Sequence, residues 1–299
     1  MTEVPPGVAA VVPPTVSLTW LYVPGDRPDR FAKAVDSGAD VVILDLEDAV
    51  AAGRKAYARD AVAEFVSSAH RVPVQVRVNE LTGPDLPADL AAVAGRPGVA
   101  GLRLPKVESP VDVVTVAGEL PGTPLHPLIE SAVGLEAAYG IASAHPTVAS
   151  LGLGEADLRS DLGVTGEDGL LWARGRVVVA ARAAALPPPA MSVYANVTDL
   201  DGLAASCRAG RRLGFIGRAA IHPRQLPVIA EAFRPSPDEV DRARELLAAV
   251  AEAQVRDSGT VVLPDGRFAD RAMVAAARRT VSLSLAPSSP SSGGGGCRT

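Results

Sequence analysis

The sequence predicts an α/β fold of the (β/α)8 (TIM) barrel class with a C-terminal helical extension, on three observations. Eight short apolar runs, rich in β-branched residues, recur at 17–23 (SLTWLYV), 41–46 (VVILDL), 72–78 (VPVQVRV), 100–104 (AGLRL), 125–129 (LHPLI), 148–153 (VASLGL), 190–195 (AMSVYA) and 215–221 (FIGRAAI). Helical segments separate them, and such alternation implies a parallel sheet. The body between two low-complexity ends is close to the roughly 250 residues of one barrel. A doubly wound open sheet is the alternative; the eighth run and the absence of a G-x-G-x-x-G turn after the first count against it.

Each element has a local reason. Residues 1–15 are Pro-rich and read as a disordered arm. The barrel is expected over 16–235, with PDRFAKAVDSG, RKAYARDAVAEFVSSAH, PADLAAVAG, SPVDVVTVAG, SAVGLEAAYGIASAH, GLLWARGRVVVAARAAAL and LDGLAASCRAGRRLG as its helices. C-terminal helices follow over 236–284; one opens with Ser236, Pro237 and Glu239, a helix-start pattern. Between them VRDSGTVVLPDGRFAD reads as a hairpin-like excursion around Asp265 and Gly266, before a last helix RAMVAAARRTV. Residues 285–299 form a Ser/Gly tail that buries too little to order itself.

Composition excludes several classes of function. With 47% apolar and 21% charged residues the chain can bury a large core, and aromatics at 4% leave the packing to Ala, Val and Leu. A net charge of −5 argues against a broad nucleic-acid face while permitting a local basic pocket. Cys207 and Cys297 have no metal-ligand spacing, so a reduced cytoplasmic protein is expected. The N-terminus lacks a signal-peptide pattern, and no apolar run is long enough to span a membrane. His70, His126, His145 and His222 show neither i,i+4 metal spacing nor a G-x-S-x-G partner, and there is no Walker A sequence.

The chemistry is expected at the C-terminal ends of the strands, where active sites of this fold lie. Glu47 and Asp48 end the second run, Arg77 and Asn79 the third; Lys106 follows the fourth, Glu130 ends the fifth and Asp157 follows the sixth. Glu130 and Asp157 thus reach one sheet edge, one repeat apart. Two ionised carboxylates held together out of water cost several kcal/mol per ion unless a cation compensates. Two oxygen ligands with open positions suit Mg2+.

The motifs LYVPGDRPDRFAKAVDSGADVVILDLEDAV, KAYARDAV, VRVNE, LPKVES, IESAVG, GLGEADL, GFIGRAAIHPRQ and DGRFAD occur in this order. They resemble the HpcH/HpaI aldolase and citrate lyase superfamily, and within it the citrate lyase beta-subunit-like (CitE-like) CoA ester lyases, over residues 17 to 281. The resemblance implies a Mg2+-dependent carbon–carbon lyase acting on a CoA thioester, with Glu130 and Asp157 as metal ligands, Glu130 also bordering the substrate, and Arg77 binding it. Glu47 and Asp48 would orient Arg77 or water beside the substrate. Arg27, Arg30 and Lys106 either meet CoA phosphates or, as Asp29, Arg30 and Lys33 also permit, belong to a solvated face.

The chain departs from the family pattern in three places. Relatives carry G-x-E-D where Glu155 and Ala156 precede Asp157, a lysine where Arg218 stands, and an acid near Ser192. In the family the segment ending in Asp270 is a lid that enters a neighbouring subunit, where the aspartate exchanges a proton with the enolate carbon. This implies a homotrimer or dimer of trimers; alternatively Asp270 caps the last helix. The partners expected are a small-molecule CoA ester and a 2-oxoacid, with no nucleic acid and no membrane. The functions weighed are this lyase, a thioesterase on the same esters, and a CoA-ester or organic-acid binding protein without turnover.

Overall fold

Apolar runs buried on both faces form parallel strands, because helices cover the sheet and leave no wet side for polar alternation. The computed structural model describes residues 16–255 and 269–285. Its strands are β1 (Thr19–Pro24), β2 (Val41–Asp45), β3 (Val74–Arg77), β4 (Val99–Leu104), β5 (Leu125–Ile129), β6 (Gly152–Leu153) and β7 (Arg218–Ala220). They pair in parallel in the order β6-β5-β4-β3-β2-β1-β7. Val42, Ile43, Leu44, Val76, Leu102, Leu104, Leu125 and Ile129 are fully buried at the centre of this sheet.

The connecting helices are α1 (Phe31–Val35), α2 (Lys55–Phe65), α3 (Leu86–Val93), α4 (Pro110–Glu119), α5 (Ala132–Glu136) and α6 (Ala138–Ala142). After β6 come α7 (Glu155–Leu162), α8 (Leu171–Ala183) and α9 (Leu200–Leu213), and after β7 comes α10 (Gln225–Phe233). Several begin with caps that set the preceding strand end. Ser109 and Asp112 exchange hydrogen bonds in a capping box before α4, and Ser131 Oγ accepts the Gly134 N–H, fixing the turn directly after Glu130. Helix α7 was not anticipated. Its signals are Glu155 and Asp157 in the first turn, where the helix dipole favours acids, and Gly163 in a left-handed conformation past the end.

The expected closed barrel of eight strands is corrected on one element. The run 190–195 is not a strand; it makes an isolated parallel bridge, Met191 to Arg218, alongside β7. Pro187, Pro188 and Pro189 have no N–H to donate, so this stretch gains only bonds such as Ile216 N–H to Pro189 C=O (2.9 Å) and Met191 N–H to Gly217 C=O (3.0 Å). On the other side β6 is two residues long. Among the described residues no ladder joins β6 to the Met191 segment, and the parallel sheet of seven strands stays open there.

The chain divides into two compact units, Ser17–Phe233 and one containing Arg234–Ser288. In the latter, α11 (Pro237–Val255) starts at the box predicted from sequence: Ser236 N–H donates to Glu239 Oε2 (2.7 Å) and Glu239 N–H to Ser236 Oγ (3.2 Å). It packs against α12 (Arg271–Leu285). The arm 1–15, the excursion around Asp265 and Gly266, and the tail with Cys297 lie outside the described residues.

Candidate active site at the strand ends

The site starts from Arg77, the last residue of β3. Parallel register sets it beside Asp45, the last residue of β2. Arg77 Nε and Nη2 donate to the two Asp45 oxygens at 2.7 and 2.6 Å, a planar fork on a carboxylate. Asp45 also accepts the N–H groups of Glu47 (3.0 Å) and Ala49 (3.3 Å), so one buried acid organises both the arginine and the turn carrying Glu47. Arg77 Nη1 then faces Glu47 Oε2 at 2.7 Å and the exposed Asp48 at 3.7 Å. Burial works against the charge of Arg77, but the hydrogen bonds and charge of Asp45 outweigh it, holding the guanidinium protonated above its ordinary range.

Lys106 joins the two halves of the site. Its backbone N–H donates to Glu130 Oε2 (3.1 Å) and its Nζ lies 3.1 Å from Glu47 Oε1. To do both it adopts φ +51, a left-handed conformation that a non-glycine residue takes only at a cost. The contacts of Glu47 with Arg77 and Lys106 are ion pairs by distance only; neither Glu47 oxygen receives an aligned hydrogen bond. Burial, then the neighbouring Asp48, raises the Glu47 carboxyl, against the opposing pull of Arg77 and Lys106.

Glu130, directly after β5, is only 5% exposed. Burial first, then the charges of Glu47 and Asp157, push its pKa up to about 8, with Arg77 acting the other way. Gly154 leaves the room it needs: a Cβ there would stand 2.2 Å from Glu130 Oε1. Asp157 is exposed in the first turn of α7.

The rim therefore carries Asp45, Glu47, Asp48, Glu130 and Asp157 against Arg77 and Lys106. Among the described residues no group of three metal-ligating side chains converges. Mg2+ needs only one or two protein carboxylates and takes its other oxygens from solvent and ligand, so Glu130 in its glycine cradle, with Asp157 beside it, fits a hard divalent cation.

Of the sequence-predicted residues, the structure brings Glu47, Asp48, Arg77, Lys106, Glu130 and Asp157 together. Asn79 is turned elsewhere, onto Asp89 (2.7 Å) and Lys55 Nζ (2.6 Å). Arg27 forms a two-point pair with Asp29 (3.0 Å each) and Arg30 is exposed, as on a solvated face. Asp270 belongs to the second unit, where its Oδ1 accepts the Met273 N–H (2.7 Å) and caps α12. Glu155, the acid displaced from its usual place in the family motif, is clamped by Arg174 at 2.8 and 2.7 Å, which leaves Asp157 as the acid available to a ligand. Sequence reasoning missed Asp45 and Tyr22. Asp45 is two residues before Glu47, hence on its side of the strand, and that alternation was the available signal. Tyr22 lies with its ring under Arg77, 5.2 Å from centroid to guanidinium.

An open parallel sheet with buried acids and a clamped arginine at its C-terminal edge defines an α/β enzyme-like site for an anionic ligand and a divalent cation. The HpcH/HpaI aldolase/citrate lyase family model matches residues 18–223, and the chain belongs to that family. It is 37% identical over 267 residues to a (3S)-malyl-CoA thioesterase of Cereibacter sphaeroides, covering 87% of this chain and 92% of the relative. Among solved structures it is similar to CitE of Mycobacterium tuberculosis in complex with magnesium, acetoacetate and coenzyme A, with a TM-score of 0.75, 30% identity, and 90% and 98% of the two chains covered. It is also similar to a citrate lyase beta subunit of M. tuberculosis complexed with oxaloacetate and magnesium, at a TM-score of 0.65 and 33% identity over 73% and 97% of the chains. No helix among the described residues is long and apolar enough to cross a membrane.

Proposed function

We propose that the protein is a Mg2+-dependent lyase that cleaves a 3-hydroxyacyl-CoA thioester of the malyl-CoA, citramalyl-CoA or citryl-CoA type to an acyl-CoA and a 2-oxoacid, in a reversible Claisen-type reaction. The observation that carries this reading is the buried Glu130, cradled by Gly154 beside Asp157 and facing an Arg77 already locked onto Asp45. Glu130 and Asp157 would hold Mg2+, which supplies Lewis-acid polarisation of the oxygen that becomes the 2-oxoacid carbonyl. Cleavage sends the carbon–carbon electron pair into the thioester, and Arg77 stands ready for the charge that develops there. Because Asp45 fixes its plane beforehand, little reorganisation is needed at the moment of reaction. Glu47, Asp48 and Lys106 orient Arg77 and close the rim around the substrate. Asp270 would return a proton to the enolate carbon across a subunit boundary in a cytoplasmic homotrimer or dimer of trimers, with Arg27 and Arg30 toward the CoA phosphates.

Thioester hydrolysis is the second reading, favoured by the (3S)-malyl-CoA thioesterase at 37% identity. One experiment separates the two: incubate the protein with malyl-CoA and citramalyl-CoA, with Mg2+ or a chelator, and follow oxoacid and free thiol. Mg2+-dependent oxoacid release without thiol supports the lyase, and thiol without oxoacid the thioesterase. Tight ester binding with neither product would make it a binding protein.

A further inference from the structure

Beneath the rim runs a chain of buried polar groups that the proposed reaction does not use. Arg103 on β4 is 7% exposed, and no carboxylate pairs with it among the described residues. Its Nε donates to Gln75 Oε1 on β3 (2.9 Å). Gln75 Nε2 lies 3.1 Å from His126 Nε2 on β5, and His126 Nδ1 lies 2.8 Å from Ser150 Oγ. Gly101 makes the space for this ring, since a Cβ there would stand 2.6 Å from His126 Nε2. At the other end the Arg103 guanidinium hydrogen-bonds the hydroxyl of Tyr22.

Every direction in this chain is forced from one end. A guanidinium only donates, so Gln75 must accept with its oxygen and donate with its nitrogen. His126 Nε2 must then be the acceptor, which puts the imidazole proton on Nδ1 and makes Ser150 its acceptor. Burial, reinforced by Arg103, lowers the His126 pKa to about 3, consistent with a neutral ring. By the same rule the Tyr22 oxygen must accept from Arg103, so its own proton points elsewhere. Tyr22 pairs in register with Ile43, one layer below Asp45, and its ring lies under Arg77. No protein acceptor for its proton occurs among the described residues.

We propose that Tyr22 is a further substrate-contacting residue, its hydroxyl proton presented to an oxygen at the deep end of the 2-oxoacid half. Arg103, Gln75 and His126 are its positioning residues, acting as a one-way hydrogen-bond relay. This rests on the reading of Glu130, Asp157 and Arg77 as a magnesium and oxoacid site. Phenylalanine at position 22 would keep the ring under Arg77 and lose only the donor.

The test titrates pyruvate, the simplest 2-oxoacid, into Mg2+-loaded wild type, Tyr22→Phe and Gln75→Leu by calorimetry, with thermal melting as the control for folding. Binding to wild type that weakens about tenfold or more in Tyr22→Phe, and in the same direction in Gln75→Leu, supports the proposal, since one lost hydrogen bond to a charged partner has that size. Unchanged pyruvate affinity in Tyr22→Phe overturns it and leaves the magnesium and oxoacid reading intact. Absence of Mg2+-dependent binding to wild type overturns both. Independently of any variant, the 15N NMR signature of His126 in the wild-type protein must be that of the neutral Nδ1–H tautomer; an Nε2–H or doubly protonated ring refutes the relay.

Discussion

Replacing Glu130 with Gln should stabilise the metal-free protein at neutral pH while abolishing its response to magnesium. In the fold the carboxyl has a pKa of about 8 against an ordinary 4.5, so the folded state binds a proton more tightly than the unfolded chain. Between those two values the native state holds more protons, and its stability falls as pH rises. Near pH 7 the ionisation penalty works out at about 3 kcal/mol, an order-of-magnitude figure because burial and Glu47 share in the shift. Glutamine removes that penalty and its amide oxygen can still accept the Lys106 N–H. In chelator, Glu130→Gln should therefore melt higher than wild type by roughly 6 to 12 °C at pH 7, from about 2 to 4 °C per kcal/mol for a chain of this size. The gap should close near pH 4.5, where the wild-type carboxyl is protonated both folded and unfolded. Adding Mg2+ should raise the wild-type melting temperature at pH 7 and leave the variant where it was. A variant that melts lower than wild type at every pH, or a gap that ignores pH, refutes the electrostatic account. Equal Mg2+ stabilisation of both proteins would remove Glu130 from the metal site.

Arg77→Lys keeps the charge but replaces the fork on Asp45 by a point charge, so kcat/KM on malyl-CoA or citramalyl-CoA should fall about a hundredfold or more, with near-normal kinetics counting against Arg77. Lys106→Gly relieves the strained φ, keeps the N–H to Glu130 and deletes only the ammonium; stability should stay within about 1 kcal/mol of wild type while turnover drops, and unchanged steady-state rates would show that Nζ is dispensable. Asp270→Ala removes the α12 cap at a cost of about 1 kcal/mol, read by chemical denaturation. Mixing it with Arg77→Ala subunits under exchange should restore part of the lost activity if Asp270 serves a neighbouring site; no recovery despite proven exchange leaves the cap as its only role.

Much of this molecule was legible from local pattern. Strand and helix alternation, the Ser236–Glu239 helix start, and the placement of Arg77, Lys106, Glu130 and Asp157 at strand ends follow from periodicity and breakers, which act over a few residues. Pairing across the sheet did not. Asp45 meets Arg77 across 32 residues of sequence, and Arg103 meets Gln75 across 28. Either contact depends on strand register, which no local window encodes. The same holds for Glu155, read from the motif as a misplaced metal-site acid until Arg174 on α8 was seen to claim it. The run 190–195 had the composition of a strand, yet three prolines and a two-residue neighbour left it without a ladder. Sequence by itself determined which groups reach the rim, because strand-end chemistry is local; only the tertiary structure decided which acid holds the arginine and which holds an empty coordination sphere, because that choice is made by register, burial and the few glycines that let side chains approach.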